Sequence, residues 1–187
     1  GRPNHLGQFN PLPDVFWGEK SGLHCLDHVV ESVMEEGWTH HIPRLMILGN
    51  LATLLDVEPK QLSDWFHECF IDAFDWVVEP NVLGMASASM GTTMMTKPYV
   101  SGTPYINKMS DYCQSCALDP KKNCPISNLY WAFLERHKIA FEGNHRMSMA
   151  MRNLNRRSDE KKKQDEAVFH SLLNTLYRKE TYLQNTL

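Results

Sequence analysis

The stretch I-P-R-L-M-I-L-G-N-L-A-T-L-L, residues 42–55, decides the fold class. Its apolar side chains fill nearly every position around a helix, with Arg44, Asn50 and Thr53 as the exceptions. A helix apolar nearly all round is covered on most sides, so this one should be central, with other helices packed about it. Pro43 suits its first turn, where the missing N–H leaves no bond unmade. On the N-terminal side, residues 24–36 set Leu26, Val29, Val30 and Val33 on one face, and Gly37 ends the pattern. On the C-terminal side, Pro59 opens a helix predicted to run to about Val78. Its stripe is Leu62, Trp65, Phe66, Cys69, Phe70, Ala73, Phe74 and Val77, which makes Cys69 a small core residue. Helical patterns follow at 128–137, 143–154 and 160–177, the last within a C-terminal helix predicted over 156–187. No period-two pattern is convincing. The sequence therefore predicts an all-α helical bundle in one domain of 187 residues, with an extended lead-in over 1–15 carrying Pro3, Gly7, Pro11 and Pro13.

Two segments between the helices lack helical periodicity. Residues 80–106 are rich in Gly, Ser, Thr and Met, and a loop this long in a compact domain is usually functional. Lys97, Tyr99 and Tyr105 give it a basic and aromatic surface suited to phosphate contact and base stacking. Residues 107–125 form a cysteine loop, K-M-S-D-Y-C-Q-S-C-A-L-D-P-K-K-N-C-P over 108–125. The Cys113-x2-Cys116 spacing aims two thiolates at one centre, and Cys124 returns after a short loop. Three soft ligands on one loop suit Zn²⁺ or an iron–sulfur cluster better than a reduced CxxC with a bystander. A fourth ligand must come from elsewhere. Cys25 stands where a helix begins, so the macrodipole favours its thiolate. His24 and His28, four apart on the same helix, are the alternatives.

A net charge of −3 announces no global basic field. The run Arg152, Arg156, Arg157 and Lys161–Lys163 is interleaved with acids and reads as a solvated helix face. No run of about 20 apolar residues is present, no signal-peptide pattern opens the chain, and no glycosylation sequon occurs. With five cysteines, at least three of them ligand-like, a reducing cytoplasm, no membrane and a monomer are expected. Asp64 and Glu68 suit a solvated face, whereas Asp72, Asp75 and Glu79 beside W-V-V-E-P-N suit a pocket wall. His40 and His41 precede the buried helix, and an imidazole at either position is a candidate general acid.

Four strings carry a resemblance: W-T-H-H-I-P-R-L-M-I-L-G-N (38–50), D-A-F-D-W-V-V-E-P-N-V-L-G-M (72–85), T-K-P-Y-V-S-G-T-P-Y-I-N-K-M-S-D-Y-C (96–113) and N-L-Y-W-A-F-L-E-R-H (128–137). In this order, within a match from about Leu12 to Asn155, they resemble the iron–sulfur bacterial cryptochromes and photolyases, the prokaryotic (6-4) photolyase-like group. The resemblance implies the C-terminal part of the helical, flavin-binding catalytic domain. It implies FAD and a [4Fe-4S] cluster, with Cys25, Cys113, Cys116 and Cys124 as cluster ligands. It implies that His41, with His40 beside it, handles proton transfer at a DNA photoproduct flipped from the duplex. Trp65 and Trp17 match electron relays, while Phe66 stands where many relatives have Tyr, which breaks a relay at that position. Asp72, Asp75, Glu79 and Asn81 match the segment lining the isoalloxazine. The partners implied are damaged DNA and an N-terminal α/β antenna domain that this chain lacks. The activity implied for a full-length member is that of a DNA photolyase, a lyase. The alternatives are a cryptochrome-type blue-light photoreceptor and, in another class, a non-catalytic iron–sulfur module that binds nucleic acid.

Overall fold

The computed structural model describes residues 4–74, 78 and 98–178. Among these residues the fold is all-α: the only extended pairing is an isolated parallel bridge between Asn10 and Val57. Helix α1 spans His24–Glu36. Helix α2, His41–Pro43, runs directly into a π-helical segment, Arg44–Gly49, and then into α3, Asn50–Leu54. After a turn comes α4, Pro59–Cys69. The later helices are α5, Thr103–Met109; α6, Ile126–Arg136; α7, Lys138–Phe141; α8, Ser148–Asn155; and α9, Asp159–Tyr177. Short 3₁₀ turns occupy Asp14–Trp17, Tyr112–Gln114 and His145–Met147.

The stretch read as central is central. Every residue from Leu45 to Leu55 is buried, Asn50 and Thr53 included. Each buried aliphatic side chain contributes about 2 kcal/mol, so this segment anchors the core. Ile42 lies outside the buried part and is 43% exposed. Helix α1 packs on the π segment, α6 packs on α3, and α9 runs along α6. Asn50 is completely buried because it is spoken for. Its Nδ2 donates to the Ser101 carbonyl at 3.0 Å, and its Oδ1 accepts from Ser101 N–H at 2.9 Å.

The α4 helix ends much earlier than its apolar stripe predicts. Phe70 leaves helical geometry (φ −105°, ψ 129°), and Ile71 N–H donates to the Gly37 carbonyl at 2.9 Å. The physical reason is a tertiary aromatic cluster. Phe70 stacks on Phe66 at 4.8 Å and meets Trp65 edge-on at 5.8 Å, with the Arg44 guanidinium 4.2 Å above its ring. Arg44 also grips Asp72 with two hydrogen bonds, at 3.0 and 2.9 Å. These contacts outweigh helix continuation, and Phe74 is left 54% exposed. A second correction concerns 80–106. Its last residues belong to α5, opened by Thr103-Pro104, where proline is tolerated in a first turn. The rest of that loop up to Lys97 lies outside the described residues.

Candidate metal centre and its surroundings

Cys25, Cys113, Cys116 and Cys124 line one small cavity, together with His24, Thr103, Tyr112 and Ile126. Its volume, about 20 Å³, is roughly that of one water position. Each thiol is brought there by a local feature. Cys25 is the second residue of α1, Cys113 lies in the Tyr112–Gln114 turn, and Cys124 comes two residues before α6 begins. The loop from Cys116 to Cys124 is closed by Asp119. Its carbonyl accepts from the N–H of Lys122, Asn123 and Cys124, while its carboxylate accepts from Lys121 N–H at 2.7 Å.

The first turns of α1 and α6 therefore face the same cavity, with the N-terminal ends of 13- and 11-residue helices around it. Such ends favour negative charge. The thiols also receive specific donors. Leu118 N–H lies 3.4 Å from Cys116 Sγ, and the N–H groups of Leu26 and Ile126 favour the thiolates of Cys25 and Cys124. Against this, burial pushes the thiol pKa of Cys25, Cys113 and Cys124 up, and repulsion among the thiolates adds to it. For Cys25 the repulsion comes from Cys124, Cys116 and Cys113, so all four lie within mutual electrostatic reach. Anion-favouring donors beside thiols whose ionisation burial opposes form a combination that a cationic centre resolves.

Thr103 adds an independent sign. Its Oγ1 is buried, lines the cavity and has no hydrogen-bond partner among the described residues. It faces Cys124 and favours that residue's thiolate. An orphaned hydroxyl of this kind costs about 1–3 kcal/mol unless something polar meets it. The four thiols do not converge on one point, however: among the described residues, no three His, Cys, Asp or Glu side chains are arranged to hold a single metal ion.

The fourth-ligand alternatives separate in part. His24 lines the cavity along with Cys25, whereas the His28 ring stacks on His24 at 5.8 Å and leans on Tyr112 at 5.7 Å. Cys69 is half-buried at the end of α4 and stands apart from the other four, packed against the core.

The remaining candidates are more dispersed. His41 is exposed at the first residue of α2, and His40, also exposed, meets the Trp38 ring at 4.6 Å. Trp65 is buried, edge-on to Phe16, and its indole N–H donates to the Phe16 carbonyl at 2.8 Å. Trp17, the next residue along, is 48% exposed. The pair thus runs from surface to core through Phe16. Asp72 is engaged with Arg44, while Asp75, Glu79, Asn81 and Lys97 lie outside the described residues. The Tyr99 and Tyr105 hydroxyls lie 3.2 Å apart, and burial, helped by that contact, pushes Tyr99 up to about 12. Sequence reasoning missed Thr103, Arg44 and Asn50. Arg44 and Asn50 were legible as polar interruptions of an apolar helix, whereas Thr103 carried no signal.

The fold and this thiol-lined cavity define a helical, cysteine-centred class of domain, and comparison with known proteins narrows it. The chain is 42% identical over 142 residues to a (6-4) photolyase of Agrobacterium fabrum, a match covering 73% of this chain and 28% of that protein. It is also 28% identical over 115 residues to the uncharacterized protein R855 of Acanthamoeba polyphaga mimivirus, covering 62% of this chain and 90% of the relative. No family profile matches the sequence. The similarity supports a prokaryotic photolyase-like family, as the four motifs imply. The chain spans 28% of the length of the photolyase it matches. Among the described residues, no helix is long and apolar enough to cross a membrane.

Proposed function

We propose that this chain is the C-terminal catalytic portion of a photolyase-like protein that carries FAD and a [4Fe-4S] cluster and acts on (6-4) photoproducts in DNA. The observation that carries the reading is the lining of one cavity by four thiols and an orphaned hydroxyl, in a chain 42% identical to a (6-4) photolyase. Cys25, Cys113, Cys116 and Cys124 would hold the cluster. Four thiolates that surround a common space without meeting at one point suit a four-iron cluster, which takes one thiolate per iron, better than a single tetrahedral zinc. The N-termini of α1 and α6, with the N–H of Leu118, offset the charge of the thiolate-ligated centre. FAD, when bound, would supply light-driven electron-transfer chemistry at the lesion.

This chain's own residues have the other tasks. His41, exposed at the start of α2, is open to a substrate and would give a proton to the lesion. Trp65, held by its bond to the Phe16 carbonyl, and the half-exposed Trp17 would carry electrons inward from the surface. Asp72, Asp75, Glu79 and Asn81 are assigned to the isoalloxazine, and Lys97, Tyr99 and Tyr105 to the DNA. In this assignment the Arg44 ion pair fixes where the Asp72 carboxylate can point.

Two measurements test the reading. Anaerobically purified protein should hold about four irons per chain. Cys25→Ser should lose them and Cys69→Ser keep them; one zinc per chain with no iron would rule the cluster out. Flavin-loaded protein completed with the remaining part of the photolyase should, on illumination, restore a (6-4)-containing oligonucleotide. His41→Ala should lower that rate by about 10²–10⁴-fold with binding retained. Undiminished repair in this variant would remove His41 from the mechanism.

A further inference from the structure

The cysteine loop is thinly covered. Cys113 and Cys116 are half-buried, and the residues beside them, Gln114, Ser115 and Ala117, are exposed and uncharged. Small neutral side chains outside a thiolate-lined cavity let another molecule approach it closely. The cavity wall continues through Pro120, and the next two residues, Lys121 and Lys122, are exposed. Their ammonium groups make no ion pair among the described residues. The same holds for Lys108, exposed near the end of α5, the helix whose Ile106 lines the cavity.

The turn fixes the backbone of both lysines and leaves their charge unspent. Asp119 Oδ1 accepts from the N–H of Lys121 at 2.7 Å and of Lys122 at 3.1 Å, and Asn123 Oδ1 accepts from Asp119 N–H at 2.6 Å. The Asp119 carboxylate is thus engaged by backbone rather than by either ammonium group. The other acid of this loop, Asp111, is exposed. On a chain of net charge −3, unpaired lysines beside the cavity form a local attractor for a negatively charged partner. No arginine occurs between 107 and 125, so the loop lacks the forked donors that grip phosphate. Lysine is a strongly hydrated point charge, suited to steering a brief encounter, and electron-transfer encounters use small interfaces of this kind.

We propose that the surface over residues 114–117, flanked by Lys108, Lys121 and Lys122, is the docking point for an acidic one-electron carrier protein that reduces the centre held by the four cysteines. The carrier loses one electron and the thiolate-ligated centre gains it, with no bond made or broken. The inference rests on the cluster reading, and iron analysis distinguishes the failure of one from the failure of the other.

The test follows the visible absorbance of anaerobically purified, iron-loaded protein during stopped-flow reduction by two small reductants of opposite charge. One is dithionite, whose active species is an anion, and the other is the methyl viologen radical, a cation. With wild-type protein the dithionite rate should fall as salt is added, and the viologen rate should not. Lys121→Gln/Lys122→Gln, with its iron retained, should lower the dithionite rate at low salt by roughly threefold or more, because steering acts through charge. The viologen rate in that variant should be unchanged or faster. Lys108→Gln should act in the same sense to a smaller extent, which keeps the test sharp if the double variant loses iron. Lys60→Gln, on α4, should change neither rate. A fluorescently labelled acidic plant-type ferredoxin should bind wild type at low salt and the double variant more weakly. Unchanged dithionite kinetics in both lysine variants, equal slowing with both reductants, the same loss in Lys60→Gln, or ferredoxin binding that ignores Lys121 and Lys122 overturns the proposal. So does binding of a duplex oligonucleotide that depends on these two lysines and is tighter than that of ferredoxin. Wild-type protein without iron ends the cluster reading, and this inference with it.

Discussion

Thr103 shows how much one residue can hold back from a sequence reading. The four cysteines announce themselves, because thiolate chemistry is written in their identity and spacing. A threonine inside the polar stretch 80–106 reads only as one more loop residue. Its meaning comes from being buried, facing four thiols, and having no partner for its hydroxyl among the described residues. That condition makes a two-sided prediction for Thr103→Val, which keeps the shape and removes the hydroxyl. Without metal the variant should be as stable as wild type or up to about 1 kcal/mol more stable, because an unsatisfied polar group has been removed. With the cluster assembled it should lose iron to a chelator several-fold faster, because a group supporting the Cys124 thiolate is gone. Urea unfolding of the apo-protein and the kinetics of iron release read the two effects separately. A large loss of apo stability would mean that the hydroxyl already has a partner.

At the scale of elements, legibility depended on whether local signals or tertiary contacts set the boundary. Helix α1 begins and ends where its apolar face and Gly37 say it should, since both signals are local. Helix α4 does not, because the aromatic cluster and the Arg44–Asp72 pair pull the chain aside after Cys69, which no local pattern reveals. Helix α5 was lost inside a polar stretch because its seven residues are too few for a periodic pattern to stand out. The junction of α1 and α4 is the tightest of these joints. Gly37 has φ +63°, its carbonyl accepts from Ile71 N–H, and a Cβ built on it would sit 2.9 Å from Ile71 Cγ2. Gly37→Ala therefore meets both a left-handed backbone and a side-chain clash. It should cost about 1–2 kcal/mol from the conformation alone. Gly143→Ala also has a positive φ, +77°, but meets nothing within 4 Å, so it should lose only the conformational part. Thermal melts of the two variants give the comparison, with Gly37→Ala expected to be the less stable.

Across the whole molecule, one mostly covered acid, its side chain 15% exposed, ties together segments far apart in sequence. Asp56 occupies the turn after α3 with φ +54°, a conformation that Asp and Asn tolerate better than most residues. Its carboxylate accepts from Arg136 Nε at 2.8 Å, lies 2.6 Å from His137 Nε2, and accepts from Gln8 Nε2 at 3.1 Å. Arg136 continues the chain of contacts to α9, stacking 3.7 Å over Phe169 and approaching Glu166 at 3.5 Å. Thus the extended lead-in, the α3–α4 turn and the end of α6 meet at Asp56, and Arg136 extends the cluster to the face of α9. Burial alone would raise the Asp56 carboxyl, but the hydrogen bond with His137 and the charge of Arg136 outweigh it and hold the group below the ordinary aspartate value of 3.8. A carboxyl whose pKa is lowered by folding stabilises the protein fully above the unfolded value. That stability is lost as the pH falls through the folded one. Stability should therefore hold from neutral pH down to about 5, then decline as the pH drops below about 4. Asp56→Asn removes the charge while keeping a side chain suited to positive φ, so it isolates the electrostatic part. It leaves Arg136 and His137 facing a neutral amide in a largely buried site, and should cost about 3 kcal/mol at pH 7. Because the variant has no carboxyl to protonate, the gap between it and wild type should narrow as the pH falls toward 3, as read from urea midpoints at each pH. A gap that stays constant across that range would show that Asp56 stabilises the fold by shape alone.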